Sequence, residues 1–235
     1  MPAKRDLTDS YSLKSKARKR VGVLISGRGS NLQALIEACK APDYPAKIVL
    51  VVSNVSSAQG LLRAEAGLIP GLVIDHRDFA SREAFDDALD AALTEAGVEL
   101  LCNAGFMRLH SAGFVASWRD RHLNIHPSLL PAFKGLHAHA RVLAEGVKIT
   151  GTTVHFVRPE MDSGPIVAQA AVPVLPGDTA DSLAARVLIA EHQLYPHALG
   201  LVASGAVRVE GELVVGMTQI KDQAPYFSPP LDEPL

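Results

Sequence analysis

Val21-Gly22-Val23-Leu24-Ile25-Ser26-Gly27-Arg28-Gly29-Ser30-Asn31-Leu32 changes character twice in one short span. The apolar run Val21 to Ile25 reads as a buried strand, and Ser26 to Asn31 breaks it with a glycine-rich loop. Leu32, Leu35, Ile36 and Cys39 then recur at i, i+3, i+4 and i+7, the period of a helix. A loop between a strand and a helix is where backbone N–H groups and the helix dipole hold an anion. Gly27 and Gly29 let the main chain approach such an anion, and Ser30 and Asn31 add side-chain donors. A dinucleotide fingerprint would place a glycine where Leu32 stands and an acidic residue where Asn54 ends the second strand, and no Walker lysine follows the loop. A single phosphate on a small molecule suits this loop better than a nicotinamide or ATP; a plain glycine turn is the alternative.

Working outward, Lys47 to Ser53 reads as a second strand, Ala58 to Ala66 as a helix closed by Gly67, and Leu72 to Ile74 as a third strand. Ser81 is placed to cap a helix with Glu83 in its first turn. Phe85, Ala88, Leu89, Ala92 and Leu93 lie on one face of it, Asp86, Asp87 and Asp90 on the other, and Gly97 ends it. Val98 to Cys102 and Leu123 to Ile125 supply a fourth and a fifth strand. Such alternation predicts an α/β, Rossmann-like fold: a mostly parallel twisted sheet with helices on both faces. The second half departs from it. Gly151 to Val157 and Ile166 to Val174 read as an antiparallel pair added to the sheet. Asp178 or Thr179 caps a long helix carrying Leu183, Val187, Ala190 and Leu194, and two short strands follow at Val207 to Val209 and Leu213 to Val215. The expected organisation is a basic, disordered arm over residues 1–20, a single domain over 21–220, and a loosely held tail over 221–235.

The 235 residues are 48% hydrophobic and 20% charged with a formal net charge of −2, which argues against a general nucleic-acid or membrane-surface binder. Cys39 and Cys102 are the only cysteines and sit among apolar neighbours, so they read as buried free thiols of a reducing compartment. No apolar run approaches the ~20 residues that span a bilayer. The basic residues Lys14, Lys16, Arg18, Lys19 and Arg20 precede only the short run Val21 to Ile25, which is too short for a signal-peptide core, and Asp6 and Asp9 count against an organelle presequence. A cytoplasmic protein with no membrane or nucleic-acid partner is expected, its basic arm simply solvated.

A second stretch carries the chemistry: Asn124-Ile125-His126-Pro127-Ser128-Leu129-Leu130-Pro131. On a strand, Asn124 and His126 project to one side while Ile125 enters the core, and Pro127 keeps His126 extended. The turn Arg158-Pro159-Glu160-Met161-Asp162-Ser163-Gly164-Pro165 joins two strands. If its Asp162 reaches His126, the carboxylate raises the imidazole pKa, orients the ring and yields a proton donor near neutral pH; alone, Asp-Ser-Gly is just a turn. His137, His139 and His155, with His126, invite a metal, but the chain offers neither a Cys pair nor a His-Glu-x-x-His helix, so no metal is expected. Gly105-Phe106-Met107-Arg108 follows the fourth strand, at the sheet edge where α/β folds bind ligands. There Phe106 and Met107 can wall a flat ring and Arg108 can meet a carboxylate.

The motifs Ser26 to Leu32, Ser81-Arg82-Glu83, Gly105 to Arg108, Asn124 to Pro131, Gly135-Leu136-His137, and His155-Phe156-Val157 with Asp162-x-Gly164-Pro165 occur in one order. Together, over about Val21 to Val209, they closely resemble the phosphoribosylglycinamide formyltransferases, the glycinamide ribonucleotide branch of the formyltetrahydrofolate-dependent formyltransferases. The Asn-x-His-Pro-Ser-Leu-Leu-Pro motif is shared by the wider family, and the phosphate loop points to this branch. The resemblance implies transfer of a formyl group from 10-formyltetrahydrofolate, as co-substrate, to glycinamide ribonucleotide in de novo purine synthesis, with no metal or nicotinamide. It implies Asn124, His126 and Asp162 as the catalytic set, and Gly29, Ser30, Asn31 and Glu191 as residues holding the ribonucleotide. Arg82, Met107, Arg108, Leu109, His110, Asn124 and the turn residues Arg158, Pro159, Glu160, Met161 and Asp162 line the folate site. Two positions depart from the pattern: His110 stands where an apolar residue is expected, and Leu188-Ile189-Ala190 precede Glu191 where some relatives are polar. The same chemistry with water in place of the amine, a formyltetrahydrofolate hydrolase, needs no phosphate loop. A methionyl-tRNA formyltransferase would carry a second domain and a basic RNA surface. From a different class, a non-catalytic folate- or nucleotide-binding protein is the alternative. Either a monomer or a homodimer is expected.

Overall fold

The computed structural model describes residues 17–216 and 228. Its strands and helices run in the order β1 (Lys19–Ile25), α1 (Ser30–Lys40), β2 (Ala46–Ser53), α2 (Gly60–Ala66), β3 (Gly71–Val73), α3 (Arg82–Glu95), β4 (Leu100–Asn103), α4 (Ala112–Ser117), β5 (His122–His126), α5 (Ala138–Ala144), β6 (Ile149–Phe156), β7 (Ile166–Pro173), α6 (Ala180–Ser204), β8 (Val207–Glu210) and β9 (Leu213–Gly216). The first seven strands form one sheet in the order β3-β2-β1-β4-β5-β6-β7. The pairs from β3 through β5 are parallel, and β6 and β7 are added antiparallel, as the sequence predicts. From β1 the chain winds outward through β2 and β3, then returns to the other side of β1 with β4. The loops after β1 and β4 therefore leave in opposite directions, and a crevice opens at this switch point.

Strand alternation assigns the two faces of the sheet. Val21, Val23 and Ile25 pack with Leu32 and Leu35 of α1 and with Leu194, Tyr195 and Leu199 of α6. Leu24 and Leu101 face the other way, onto Phe85, Leu89 and Leu93 of α3, Phe114 of α4 and Trp118 at its end. Ser81 caps α3 by accepting the Ala84 N–H, and Thr179 with Ser182 forms a capping box at the start of α6. The Tyr195 hydroxyl, fully buried, donates to the carbonyls of Asn103 at 3.0 Å and Leu123 at 3.3 Å, which fastens α6 across the ends of β4 and β5.

Three expectations are corrected. The basic arm ends earlier than residue 20: Lys19 and Arg20 lie in β1, Lys19 pairs with Glu99 at 2.7 Å, and Arg18 donates to the carbonyls of Cys39 and Ala46. These cations are held by strand ends and are not a solvated tail. Asp86 is buried, not on the solvent side of α3 with Asp87. Cys102 is buried, whereas Cys39 is only partly so. Helices α4 and α5, too short to show a clear period, were not expected. Residues 1–16 of the arm, and 217–235 of the domain end and tail apart from Ser228, lie outside the described residues. Among the described residues no helix is long and apolar enough to cross a membrane.

Tyr195→Phe keeps the ring's packing and removes one hydroxyl shared by two buried carbonyls. It should lower stability by about 1–2 kcal/mol, read as a fall of a few degrees in the thermal midpoint with an unchanged far-UV spectrum. An unchanged midpoint would mean that the hydroxyl does not fasten α6 to the sheet.

Candidate active site

The change from parallel to antiparallel pairing places the site. Strand β5 pairs in parallel with β4 and antiparallel with β6, in a register that sets Asn124 opposite His155 and His126 opposite Thr153. Asn124 and His126 thus share a face at the carboxyl end of β5, with Ile125 in the core, and the Thr152 hydroxyl donates to the His126 carbonyl. The turn from β6 to β7 brings Asp162 against them. Its backbone is left-handed, with φ of 51°, a conformation that Asp tolerates better than most residues. Gly164 lets the turn fold tightly, since a Cβ there would lie 1.8 Å from the Phe156 carbonyl oxygen.

Asp162 Oδ2 lies 3.3 Å from His126 Nδ1 and accepts the Gly135 N–H at 2.8 Å, while Oδ1 lies 3.7 Å from His155 Nε2. Burial pushes the His155 pKa down, opposed by its bond to the Phe156 carbonyl and by the Asp162 charge. A neutral ring donating from Nδ1 to that carbonyl at 3.0 Å leaves a lone pair on Nε2, and the Asn124 amide donates to it at 3.2 Å. His155 thereby fixes which end of the Asn124 amide carries N–H groups, and the second amide hydrogen is left for the crevice. His126 Nε2 faces the Phe133 carbonyl at 2.9 Å, so both nitrogens of the central imidazole face oxygens.

Across the switch point, Gly29 caps α1 with φ of 71°, and a Cβ on it would lie 2.6 Å from Gly60 Cα. Only glycine allows α2 so close to the loop. Ser26 ties this loop to the one after β4: its N–H donates to the Gly105 carbonyl and its hydroxyl accepts the Met107 N–H. Asn31 reaches inward to donate to Glu191 of α6 at 2.7 Å, and its Oδ1 is buried with no partner among the described residues. Burial raises the Glu191 pKa, partly offset by the Asn31 bond.

Arg82, at the start of α3, and Met107, Arg108 and Leu109 line a cleft of about 240 Å³. Other residues expected at the folate site are placed differently. The Phe106 ring lies stacked between Phe85 and His110, so it belongs to the core and not to the cleft wall. His110, with its side chain only 3% exposed, is turned beneath the cleft toward Asp86. The buried Arg158 guanidinium is held by Asp120 and Glu212, each at 2.7 Å, and so anchors the turn that presents Asp162. Pro159, Glu160 and Met161 are exposed on that turn. His137 begins α5 and half-buried His139 follows it; among the described residues no group of three or more His, Cys, Asp or Glu side chains could hold a metal ion. Pairing of Asp86 with His110, and His155 orienting Asn124, escaped the sequence reading. A histidine inside a strand expected to be buried was the available signal for His155.

Residues 19–199 match the sequence pattern of the formyl transferase family. The trifunctional purine biosynthetic protein adenosine-3 of Gallus gallus is 56% identical over 190 residues, which are 81% of this chain and 19% of that protein; the chain thus spans about a fifth of this much longer relative. Phosphoribosylglycinamide formyltransferase of Escherichia coli (strain K12) is 44% identical over 187 residues, 80% of this chain and 88% of that protein. The crystal structure of glycinamide ribonucleotide transformylase 1 from Symbiobacterium toebii superposes with a TM-score of 0.83 at 46% identity, covering 86% of this chain and 95% of that one.

Because burial raises the Glu191 pKa above its ordinary 4.5, the folded protein holds this proton more tightly than the unfolded chain. The carboxylate's cost to stability is absent at low pH and grows as pH rises from the ordinary value through the folded one. Glu191→Gln keeps an acceptor for Asn31 without the charge. Its thermal midpoint should match the parent near pH 4 and exceed it at pH 7; a midpoint at pH 7 no higher than the parent would mean that the carboxylate is fully compensated.

Proposed function

The chain belongs to the formyl transferase family, and from that premise we propose that it transfers the formyl group of 10-formyltetrahydrofolate to the amine of glycinamide ribonucleotide, a step of de novo purine synthesis in the cytoplasm. The observation that carries the reading is the His126 imidazole, buried at the end of β5 with Asp162 on Nδ1 and Asn124 on the same face.

When bound, the formyl-folate supplies an acyl carbon already activated by its nitrogen leaving group. The side chains of this chain do the rest. Attack by the ribonucleotide amine develops negative charge on the formyl oxygen, and the amide hydrogen of Asn124 not used by His155 is one donor to it. With Nδ1 held by Asp162, the second donor is the Nε2–H of His126, which exchanges the Phe133 carbonyl for the formyl oxygen. Asp162 stabilises the protonated imidazole and, near the attacking amine, accepts its proton for return to the leaving nitrogen. Gly29, Ser30 and Asn31 at the start of α1 hold the phosphate, with Glu191 behind them. Asn31 Oδ1, buried and unpartnered among the described residues, is an acceptor suited to a hydroxyl or N–H of the ribonucleotide and not to its phosphate. The cleft walled by Arg82, Met107, Arg108 and Leu109 takes the folate, and Arg82 and Arg108 meet its carboxylates. No metal is assigned a role.

The test is the absorbance change as 10-formyltetrahydrofolate loses its formyl group, with and without glycinamide ribonucleotide, for the parent and for His126→Ala. Turnover should require the ribonucleotide and fall by about 10²–10⁴-fold in the variant. Equal formyl loss without the ribonucleotide would make the protein a hydrolase. Absence of turnover in every case would leave a binding protein.

A further inference from the structure

His110 stands where the family pattern leads one to expect an apolar side chain, and its surroundings are those of a core residue. Its ring lies between Phe106, at 5.2 Å between centroids, and Phe114, at 4.5 Å, nearly parallel to both. A leucine would fill such a slot without bringing polar atoms into it. Of the two ring nitrogens, Nε2 is buried with no partner among the described residues, a cost that a hydrocarbon side chain avoids. All the polar work of the residue therefore runs through Nδ1, which lies 3.3 Å from Asp86 Oδ1.

Asp86 makes that contact consequential. Its other oxygen accepts the Ser111 N–H, so one buried carboxylate grips two successive residues of the segment after β4. Asp86 itself sits one turn beyond Arg82 on α3. Arg82 forms one wall of the folate cleft, and Met107, Arg108 and Leu109, immediately before His110, form the other. Met107 and Leu109 are 73% and 55% exposed, so burial of their own side chains does little to hold this wall. The walls are joined underneath through Asp86 to His110 and Ser111.

We propose that His110, acting through Asp86, is a positioning residue that sets the separation of the two walls of the folate cleft. Its side chain lies beneath the cleft and is not part of the lining. Resting on the function proposed above, this assigns to His110 an effect on the binding of formyl-folate, with little on ribonucleotide binding or on the chemical step at His126 and Asp162.

Two substitutions separate this role from packing. His110→Leu fills the volume but cannot bond Asp86, whereas His110→Asn is smaller but places an amide N–H where Nδ1–H was. Binding of a dideaza analogue of formyl-folate is measured by calorimetry, beside steady-state kinetics with both substrates and thermal unfolding. In His110→Leu the analogue Kd and the KM for formyl-folate should rise on the order of tenfold through misplacement of one wall. The KM for the ribonucleotide and kcat should stay within about twofold of the parent, since the reacting groups are untouched. His110→Asn should recover most of the affinity despite leaving more space between the phenylalanines. Asp86→Leu, which fills similar space and offers neither oxygen to His110 or Ser111, should weaken formyl-folate binding as His110→Leu does. Parent-like affinity in a folded His110→Leu overturns the proposal, as does affinity in the variants that follows the thermal midpoint and not the Asp86 bond. Should His110→Leu not fold, the Asp86→Leu measurement decides alone. If the parent protein itself fails to bind the analogue, the function proposed above falls, an outcome distinct from parent binding that His110→Leu leaves intact.

Discussion

The carboxylate of Asp162 is the point on which the rest of the site depends. It stands 3.3 Å from His126 Nδ1 at the end of β5, accepts the Gly135 N–H from the loop after that strand, and approaches His155 on β6. The end of β5, the loop after it and β6 are thus oriented by one group. With its side chain 9% exposed, its charge acts in surroundings that screen it far less than water does. Such a charge persists in a protein interior only when partners compensate it, and the partners here are a backbone N–H and an imidazole. Their geometry accounts for the unusual features of the turn. Asp162 adopts a left-handed backbone, Gly164 removes the Cβ that would meet the Phe156 carbonyl, and the buried Arg158 pins the start of the turn to Asp120 and Glu212.

The sheet explains why this carboxylate finds that histidine. The chain leaving β5 passes through α5 and then pairs with β5 again as the antiparallel strand β6. Because β6 pairs directly with β5, Thr153 to Phe156 lie beside Leu123 to His126; the chain leaves β6 beside Leu123, and the turn that follows folds back to set Asp162 against His126. The same pairing puts His155 opposite Asn124. Burial keeps His155 neutral, and a neutral ring with its proton on Nδ1 can do one thing on the Asn124 side, which is to accept. An amide that would otherwise be free to flip is given one orientation.

Much of this was legible in the sequence, and the reasons are physical. The strand, loop and helix from Val21 to Cys39 are written in apolar periodicity and in glycines, both local properties. The common face of Asn124 and His126 follows from strand geometry alone. The parallel order and the antiparallel addition followed from where helical periods alternate with strands and where they stop. What stayed hidden depends on tertiary partners. Asp86 reads by residue type with Asp87 and Asp90, yet three and seven residues before the buried Leu89 and Leu93 it borders the apolar face of α3; His110, beyond the end of β4, is the partner that lets a carboxylate be buried there. Phe106 looked like a ligand wall because it follows a strand at the functional edge, yet the rings on either side of it decide otherwise. Arg158 looked like a ligand contact and is instead held by carboxylates from Asp120 and from the C-terminal hairpin, pairings with no local signature. The arm at Arg18 to Arg20 was misread because a strand edge with charged ends resembles a solvated tail until its partners Glu99, Cys39 and Ala46 are placed.

A net charge of −2 poses an electrostatic problem for a protein proposed to hold a phosphate and a folate, both anionic. Long-range attraction cannot supply the capture, so it must be local. On one side of the switch point the start of α1 directs backbone N–H groups into the crevice, and on the other Arg82 and Arg108 flank the cleft. The buried Glu191 lies behind the first of these regions, where an ionised carboxylate would oppose a bound phosphate. Two features blunt that opposition: the raised pKa reduces its ionised fraction, and the Asn31 amide stands between the carboxylate and the loop. Asn31 also keeps a buried oxygen with no partner among the described residues at the same place, so a donor on the proposed ligand would complete the arrangement where a second anion would disrupt it. Under the proposed function, selectivity at this end rests on a pattern of donors and acceptors, positive at the helix start and accepting behind it, which a sugar phosphate satisfies and a bare inorganic anion satisfies only in part.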